Sequence, residues 1–250
     1  MSLRSLSNAL FGVVWTAGSS SLAIGAHYLT QDQKMVGHAT ALWARVLAKR
    51  WSMPVRVEGA EHLLEAQPCV IMSNHLSYAD IVALFAALPL HPKFIAKREL
   101  RKVPFLGKLM QCGGHIFIDR TQRKQAIKAM AIAAAELRKG ESILIFPEGT
   151  RGEGRSIGVL HSGGFRLAKQ AGVAIVPVGI RGTERVLPRR GLSVQGAEVS
   201  VRIGAAIPAS SVKSQTTQEL MELVRDRFCE LSGLPPAPPN PDHAGETLGA

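Results

Sequence analysis

Between Val55 and Ile203 the chain alternates short β-branched runs with stretches of helical period, and this alternation decides the fold class. Residues 55–58, 69–73, 93–96, 115–119, 142–146, 174–178 and 198–203 read as strands. Residues 78–88, 105–112, 122–139 and 162–170 read as the helices between them, and 217–231 as a closing helix. The 122–139 helix has a clear stop, with Arg138 and Lys139 in its last turn and Gly140 beyond. Strands alternating with helices predict an α/β domain whose ligands meet the carboxyl ends of the strands. The expected folded domain runs over residues 53–233. The Pro-rich stretch 234–250 reads as a disordered tail.

The 52 residues before this domain are of another kind. No Asp, Glu, Lys or Arg occurs from Ser5 to Gln31, and residues 11–29 are largely apolar. That length matches the about 20 residues a helix needs to cross a bilayer. Gly18, Ser19, Ser20, Ser21 and Gly25 weaken it as a spanning segment. Three readings stay open: a membrane-attached helix that spans or lies in the interface, a signal peptide, or an ordinary buried helix. Lys34, Arg45, Lys49 and Arg50 follow, with Trp43 and Trp51 among them, a pattern suited to docking on anionic lipid. Residues 1–52 are therefore expected to form a helical membrane-association segment.

Charge narrows the function classes. The 250 residues carry a net +11, yet residues 97–190 alone hold 19 Lys and Arg against 7 Asp and Glu. A surplus in the middle of the chain points to a phosphate-bearing or other anionic partner at the folded domain. With aromatics at 5% and no zinc-finger or RNA-binding signature, nucleic acid is not that partner. Three widely separated cysteines build no disulfide framework or Cys-rich metal site, which fits a reducing, cytoplasm-facing compartment.

Two strand ends carry chemistry. After strand 69–73 comes Asn74-His75-Leu76-Ser77-Tyr78-Ala79-Asp80. On one continuous helix His75 and Asp80 would lie about 140° apart, so they meet only if His75 is in the turn and the helix starts near Ser77. Asp80 would then orient one imidazole nitrogen while the other accepts a proton. The competing reading is a capping box, with Ser77 and Asp80 merely starting the helix. After strand 142–146 comes Pro147-Glu148-Gly149-Thr150-Arg151-Gly152, in which glycines open backbone N–H groups to a ligand and Arg151 can grip two phosphate oxygens. Its competing reading is a Gly-rich turn with a solvated Arg. Residues 149–156 nearly spell a nucleotide P-loop, but Arg155 replaces the Lys and Glu153 would sit in the anion cradle, so an NTPase is rejected. Arg120 and Lys97 end two further strands. Together these residues place a basic pocket on the carboxyl edge of the sheet.

In this combination the chain resembles the 1-acyl-sn-glycerol-3-phosphate (lysophosphatidic acid) acyltransferases of the glycerolipid acyltransferase superfamily. The resemblance rests on NHLSYAD (residues 74–80), IFIDR (116–120), FPEGTRG (146–152) and IVPVGI (175–180), with KREL and PFLG between. Gly152 departs from the Ser that many members carry. The resemblance implies one mixed α/β sheet flanked by helices, with an N-terminal helical membrane-anchoring segment. It implies His75 as general base and Asp80 as its orienting partner. Arg120, Glu148, Gly149, Thr150 and Arg151 would bind the acceptor's glycerol phosphate, with charge added by Lys97. No metal or other cofactor is implied; acyl-CoA or acyl-ACP is the co-substrate, and lysophosphatidic acid, an anionic membrane and acyl carrier protein are the candidate partners. The product would be phosphatidic acid for phospholipid synthesis. Glycerol 3-phosphate, a lysophospholipid or a lyso-aminolipid remains as alternative acceptor, and a non-catalytic basic docking protein as the alternative class. The oxyanion stabiliser is expected among backbone N–H groups near His75, and the catalytic domain on the cytoplasmic side of a membrane, the inner one in a bacterium.

Overall fold

A computed structural model describes residues 2–119, 121–189 and 193–238. Two long helices come first, α1 (Leu3–Thr30) and α2 (Gln33–Arg50). The domain then runs β1 (Val55–Glu58), α3 (Glu61–Glu65), β2 (Cys69–Ser73), α4 (Ala79–Ala87), β3 (Lys93–Lys97), a 3-10 turn (Arg98–Lys102), α5 (Leu106–Cys112) and β4 (Ile116–Ile118). It continues through α6 (Arg123–Arg138), β5 (Ile143–Ile145), α7 (Gly163–Ala171), β6 (Ala174–Arg181), α8 (Thr183–Val186), β7 (Val199–Ile203), α9 (Ala209–Ser214) and α10 (Thr217–Ser232). All seven expected strands form. β6 runs on to Arg181, three residues past its expected end, because its far half pairs with β7 rather than β2.

The sheet order is β1-β7-β6-β2-β5-β3-β4. β6, β2, β5, β3 and β4 are mutually parallel, β7 is antiparallel to β6, and β1 is parallel to β7. This is the mixed sheet that the resemblance implies. The alternation of β2 divides the core into two layers. Cys69 and Ile71 join α2 and α4 on one face, while Val70 and Met72 join α6, α7 and α10 on the other. The helix after β2 therefore covers one face and the helix after the neighbouring β5 covers the opposite face. Adjacent parallel strands that send their helices to opposite faces leave a crevice between their carboxyl ends. The two motif blocks after β2 and β5 open into that crevice.

Of the Ser and Gly residues that weaken α1 as a spanning helix, Ser20 is buried, whereas Gly18, Ser21 and Gly25 are exposed. The buried stripe of α1 is Ser5, Asn8, Gly12, Ser20 and Ala23, while Leu3, Leu6, Leu10, Val13, Val14, Leu22 and Leu29 face outward. Polar contacts hold that stripe to the rest of the chain: Val194 N–H donates to Ser5 Oγ (2.9 Å), Trp51 Nε1–H donates to the Asn8 carbonyl (3.2 Å), and Arg50 binds the Asn8 side chain. α1 is long and apolar enough to cross a membrane by length and composition.

The first residues of the expected tail pack on the domain. Leu234 is buried, Ile157 N–H donates to the Pro235 carbonyl, and Ala237 N–H donates to the Ile157 carbonyl, both at 2.8 Å. Proline lacks a donor, but its carbonyl and extended backbone suit such a bridge. The rest of the tail, 239–250, lies outside the described residues, as does Arg120.

Candidate active site

β2 is buried at every residue, and its continuation at Asn74 is fixed by two hydrogen bonds. Asn74 Nδ2 donates to the Ile180 carbonyl (3.0 Å), and Ile180 N–H donates to Asn74 Oδ1 (2.7 Å). A fully buried amide thus prolongs the β2–β6 ladder by side chain just where the backbone turns away. His75 sits in that turn, as its pairing with Asp80 requires, and α4 starts at Ala79.

Asp80 has no solvent exposure, and both its carboxylate oxygens are hydrogen-bonded. Its Oδ2 lies 2.7 Å from His75 Nδ1 and accepts the N–H groups of Leu76 (2.7 Å) and Ser77 (3.0 Å). Its Oδ1 accepts the hydroxyl of Thr183. The carboxylate thus performs both roles read from the sequence, holding the start of α4 and orienting the imidazole. Ser77 Oγ, in turn, accepts Ala79 N–H (3.0 Å) and donates to the Leu187 carbonyl (2.6 Å). With Nδ1–H given to a carboxylate, Nε2 is the basic nitrogen, and it has no partner among the described residues. The ring stacks on Phe146, centroids 4.0 Å apart and planes 6° apart, with 15% of the side chain exposed.

Glu148 differs from its expected place in acceptor binding. It is 5% exposed, and both carboxylate oxygens are engaged by backbone: His75 N–H donates to Oε1 (2.7 Å) and Gly158 N–H to Oε2 (2.9 Å). Burial raises its pKa from the ordinary value, offset in part by those two amides. An anion so placed repels a phosphate and ties the loop after β5 to the His75 turn. Gly152 N–H reinforces the tie by donating to the His75 carbonyl (2.7 Å). A Cβ on Gly152 would meet nothing nearer than that carbonyl, at 3.6 Å, so the pocket has room for the Ser common in the family.

The amides expected to stabilise an oxyanion are already engaged. The N–H groups of His75, Leu76 and Ser77 all point at Glu148 or Asp80.

Arg151 is half-buried, and its guanidinium carbon lies 3.8 Å from the centroid of the Tyr78 ring. No carboxylate or hydrogen-bond acceptor among the described residues engages it, so its donors are unspent. Gly149 adopts φ +72°, the left-handed turn that glycine permits, and Thr150 beside it is exposed. Lys97 is exposed at the end of β3, one strand beyond β5, with its Nζ 3.6 Å from Glu99. The structure therefore gathers His75, Asp80, Glu148 and Gly152 into one hydrogen-bonded cluster, sets Arg151 beside it on Tyr78, and keeps Lys97 apart. Thr183, Tyr78, Phe146 and Asn74 are the site residues for which sequence reading found no role. Thr183 lies three residues past IVPVGI, and only the chain reversal at Gly182 (φ +98°) brings it to Asp80.

The profile of the Acyltransferase family matches residues 54–181, which include His75, Asp80, Glu148, Arg151 and Gly152 but stop short of Thr183. The 1-acyl-sn-glycerol-3-phosphate acyltransferase alpha of Ovis aries is 33% identical over 176 residues, 70% of this chain and 61% of the relative. The beta enzyme of Homo sapiens is 32% identical over 190 residues, 74% of this chain and 68% of the relative. The chain thus spans about three fifths to two thirds of the length of these relatives. A crystal structure of the 1-acyl-sn-glycerophosphate (LPA) acyltransferase from Thermotoga maritima superposes with a TM-score of 0.80 at 23% identity, over 91% of this chain and 92% of that one. It shares the fold.

Proposed function

Since this chain belongs to the acyltransferase family that includes the 1-acyl-sn-glycerol-3-phosphate acyltransferases, we propose that it moves an acyl chain from a thioester to the sn-2 hydroxyl of 1-acyl-glycerol 3-phosphate. The product is phosphatidic acid, and the donor is acyl-CoA or acyl-ACP. The observation that carries the reading is the His75–Asp80 pair in the β2/β5 crevice, with unpaired Arg151 beside it. His75 Nε2 takes the proton of the acceptor hydroxyl as its oxygen attacks the thioester carbonyl. Asp80 holds the resulting imidazolium. Collapse of the tetrahedral intermediate forms the ester, breaks the C–S bond and returns the proton to the departing thiolate. A thioester is activated enough that this sequence calls for no cofactor.

Arg151, with Thr150 and the Gly149 turn, receives the acceptor phosphate, to which Arg120 and Lys97 add charge. Glu148 acts by holding the turn. The outward apolar face of α1 rests on the membrane and brings the crevice to its lipid acceptor, on the cytoplasmic side. The docked polar stripe of α1 favours an interfacial helix over a cleaved signal peptide.

The test is purified protein supplied with labelled acyl-CoA, or acyl-ACP, and a panel of lyso-acceptors. Labelled phosphatidic acid is the expected product, and His75→Ala abolishes it while the protein still folds. Preference for an acceptor without a phosphate monoester overturns the assignment.

A further inference from the structure

We infer that the groove between the 3-10 turn Arg98–Lys102 and α6 binds the 3′-phosphorylated adenine nucleotide of a coenzyme A thioester. This rests on the acyl-transfer reading and adds the place where the donor's head would sit. The groove holds about 250 Å³ and is lined by Arg98, Arg101, Phe117, Asp119, Lys128 and Ile132, among others. A neighbouring hollow of about 550 Å³ shares Arg101, Phe117 and Ile132; it also holds Glu141 and Glu136, the latter paired with Lys93 and Lys139, so the cationic part is the groove itself.

The rim is cationic and unspent. Arg101 of the 3-10 turn and Lys128 of α6 line the groove, are exposed and have no acidic partner among the described residues. The carboxylate in the groove, Asp119, is already engaged. It accepts the Thr121 hydroxyl (2.6 Å) and N–H (3.0 Å) and binds Arg98 (3.1 Å), contacts that lower its pKa. Lysines along a helix are ordinarily just a solvated face. Here cations from two separate elements converge over an apolar floor, where Phe117 is half-buried and Ile132 is 46% exposed. Phosphates on the rim and a flat base on the floor satisfy both features; inorganic phosphate would use only the first. A carrier protein would need a broad surface of about 800 Å² rather than a concave slot.

Position agrees with this occupant. The groove lies by the carboxyl ends of β3 and β4, on the edge of the sheet that holds His75. From β2 to β4 is three strand spacings, about 14 Å. The pantetheine arm that joins nucleotide to thioester has about four residues' worth of chain, roughly 14 Å when extended. A nucleotide in the groove thus leaves its thioester within reach of His75, while Arg151 remains with the acceptor.

The experiment compares acyl-CoA with acyl-pantetheine, which lacks the nucleotide, in the full chain and in Arg101→Ala/Lys128→Ala. The expected result is a fall of at least tenfold in the preference for acyl-CoA over acyl-pantetheine (the ratio of their kcat/KM values). Adenosine 3′,5′-bisphosphate should compete with acyl-CoA in the unsubstituted protein and lose affinity by a similar factor in the variant, measured also by calorimetry without turnover. An unchanged preference overturns the inference, as does a variant whose main defect is acceptor KM, or a protein that uses acyl-ACP alone. If no thioester is turned over, the reaction reading fails by itself, and the calorimetric titration still decides whether the groove binds the nucleotide.

Discussion

The hydroxyl of Thr183 donates to Oδ1 of Asp80, the carboxylate oxygen that His75 leaves unused. Both residues are fully buried, so replacing Thr183 with Val orphans an anionic oxygen in a site without water access. A lost hydrogen bond to a buried charge costs about 1–3 kcal/mol, which corresponds to roughly 5- to 150-fold. Thr183→Val should lower kcat within that range with acceptor KM little changed, and Thr183→Ser should restore it. Equal loss in the Ser and Val variants would show that the methyl packing matters and the hydroxyl does not.

Asp80→Asn separates the two duties of this carboxylate. An amide oxygen can still accept the N–H groups of Leu76 and Ser77, and the Thr183 hydroxyl can turn from donor to acceptor. The turn should therefore survive, with unfolding midpoints in urea close to those of the unsubstituted protein. The charge that holds the imidazolium is gone, and kcat should fall by about 10²–10⁴. An active Asp80→Asn protein would reduce Asp80 to a helix-starting residue.

Tyr78 carries the guanidinium of Arg151 on its ring at 3.8 Å, and the ring is itself 57% exposed. A cation–π contact at such a site is worth about 0.5–1 kcal/mol. Tyr78→Ala should raise acceptor KM by roughly 2- to 5-fold and Tyr78→Phe should not, because the ring is what the guanidinium uses. Arg151→Ala should raise acceptor KM further and thioester KM less. Arg151→Lys should fail to restore it, since an ammonium lacks the planar fork that stacks and grips together. Equal rises in both KM values for Arg151→Ala would assign the Arg to the donor or to structure.

The strands, the two blocks at their ends and the His75–Asp80 geometry were legible because each is a local pattern. β-branched runs, a turn before a helix, and a spacing that forbids a shared helix face all act within a few residues. What escaped depends on contacts between distant segments. Thr183 reaches Asp80 across 103 positions, and Asn74 reaches Ile180 across 106. The family resemblance implies Glu148 as a ligand for the acceptor, as part of the FPEGTRG block. Only the fold shows both its oxygens turned to the backbone of His75 and Gly158. The docking contacts of α1, at Ser5 and Asn8, lie ahead of the 18–25 stretch that reads as a flaw in the apolar helix, and their partners Val194 and Trp51 are far away in sequence.

Acid should weaken the fold through His115. Its Nδ1 accepts the Phe94 N–H at 2.9 Å, which requires the neutral ring, and burial with nearby Lys93 lowers its pKa from 6.5 to about 4. His91, among His38 and Arg45, is lowered too. Between pH 6.5 and about 4 the unfolded chain takes up a proton at His115 that the native chain refuses. Stability thus falls as pH falls through that window, by about 3 kcal/mol from this residue. Urea unfolding at steps from pH 7 to 4 should show the slope, and His115→Gln, whose amide oxygen can still accept the Phe94 N–H, should flatten it. A slope unaltered in His115→Gln would place the acid sensitivity elsewhere.

Membrane attachment through α1 is best tested by point substitutions. Deleting the helix would also strip Trp51 and Val194 of their partners at Asn8 and Ser5, so lost activity and lost fold would be confounded. Leu10, Val14 and Leu22 are 63%, 62% and 78% exposed and point away from that docked stripe. Burying such a side chain in lipid is worth about 1.5–3 kcal/mol. Glu at all three positions forfeits that and adds charges that anionic headgroups repel. The triple variant should keep its unfolding midpoint, and its binding to anionic vesicles should fall by more than tenfold in a sedimentation assay. Full sedimentation of the variant would move the attachment to α2, where Trp43 and the basic residues Lys34, Arg45 and Lys49 lie.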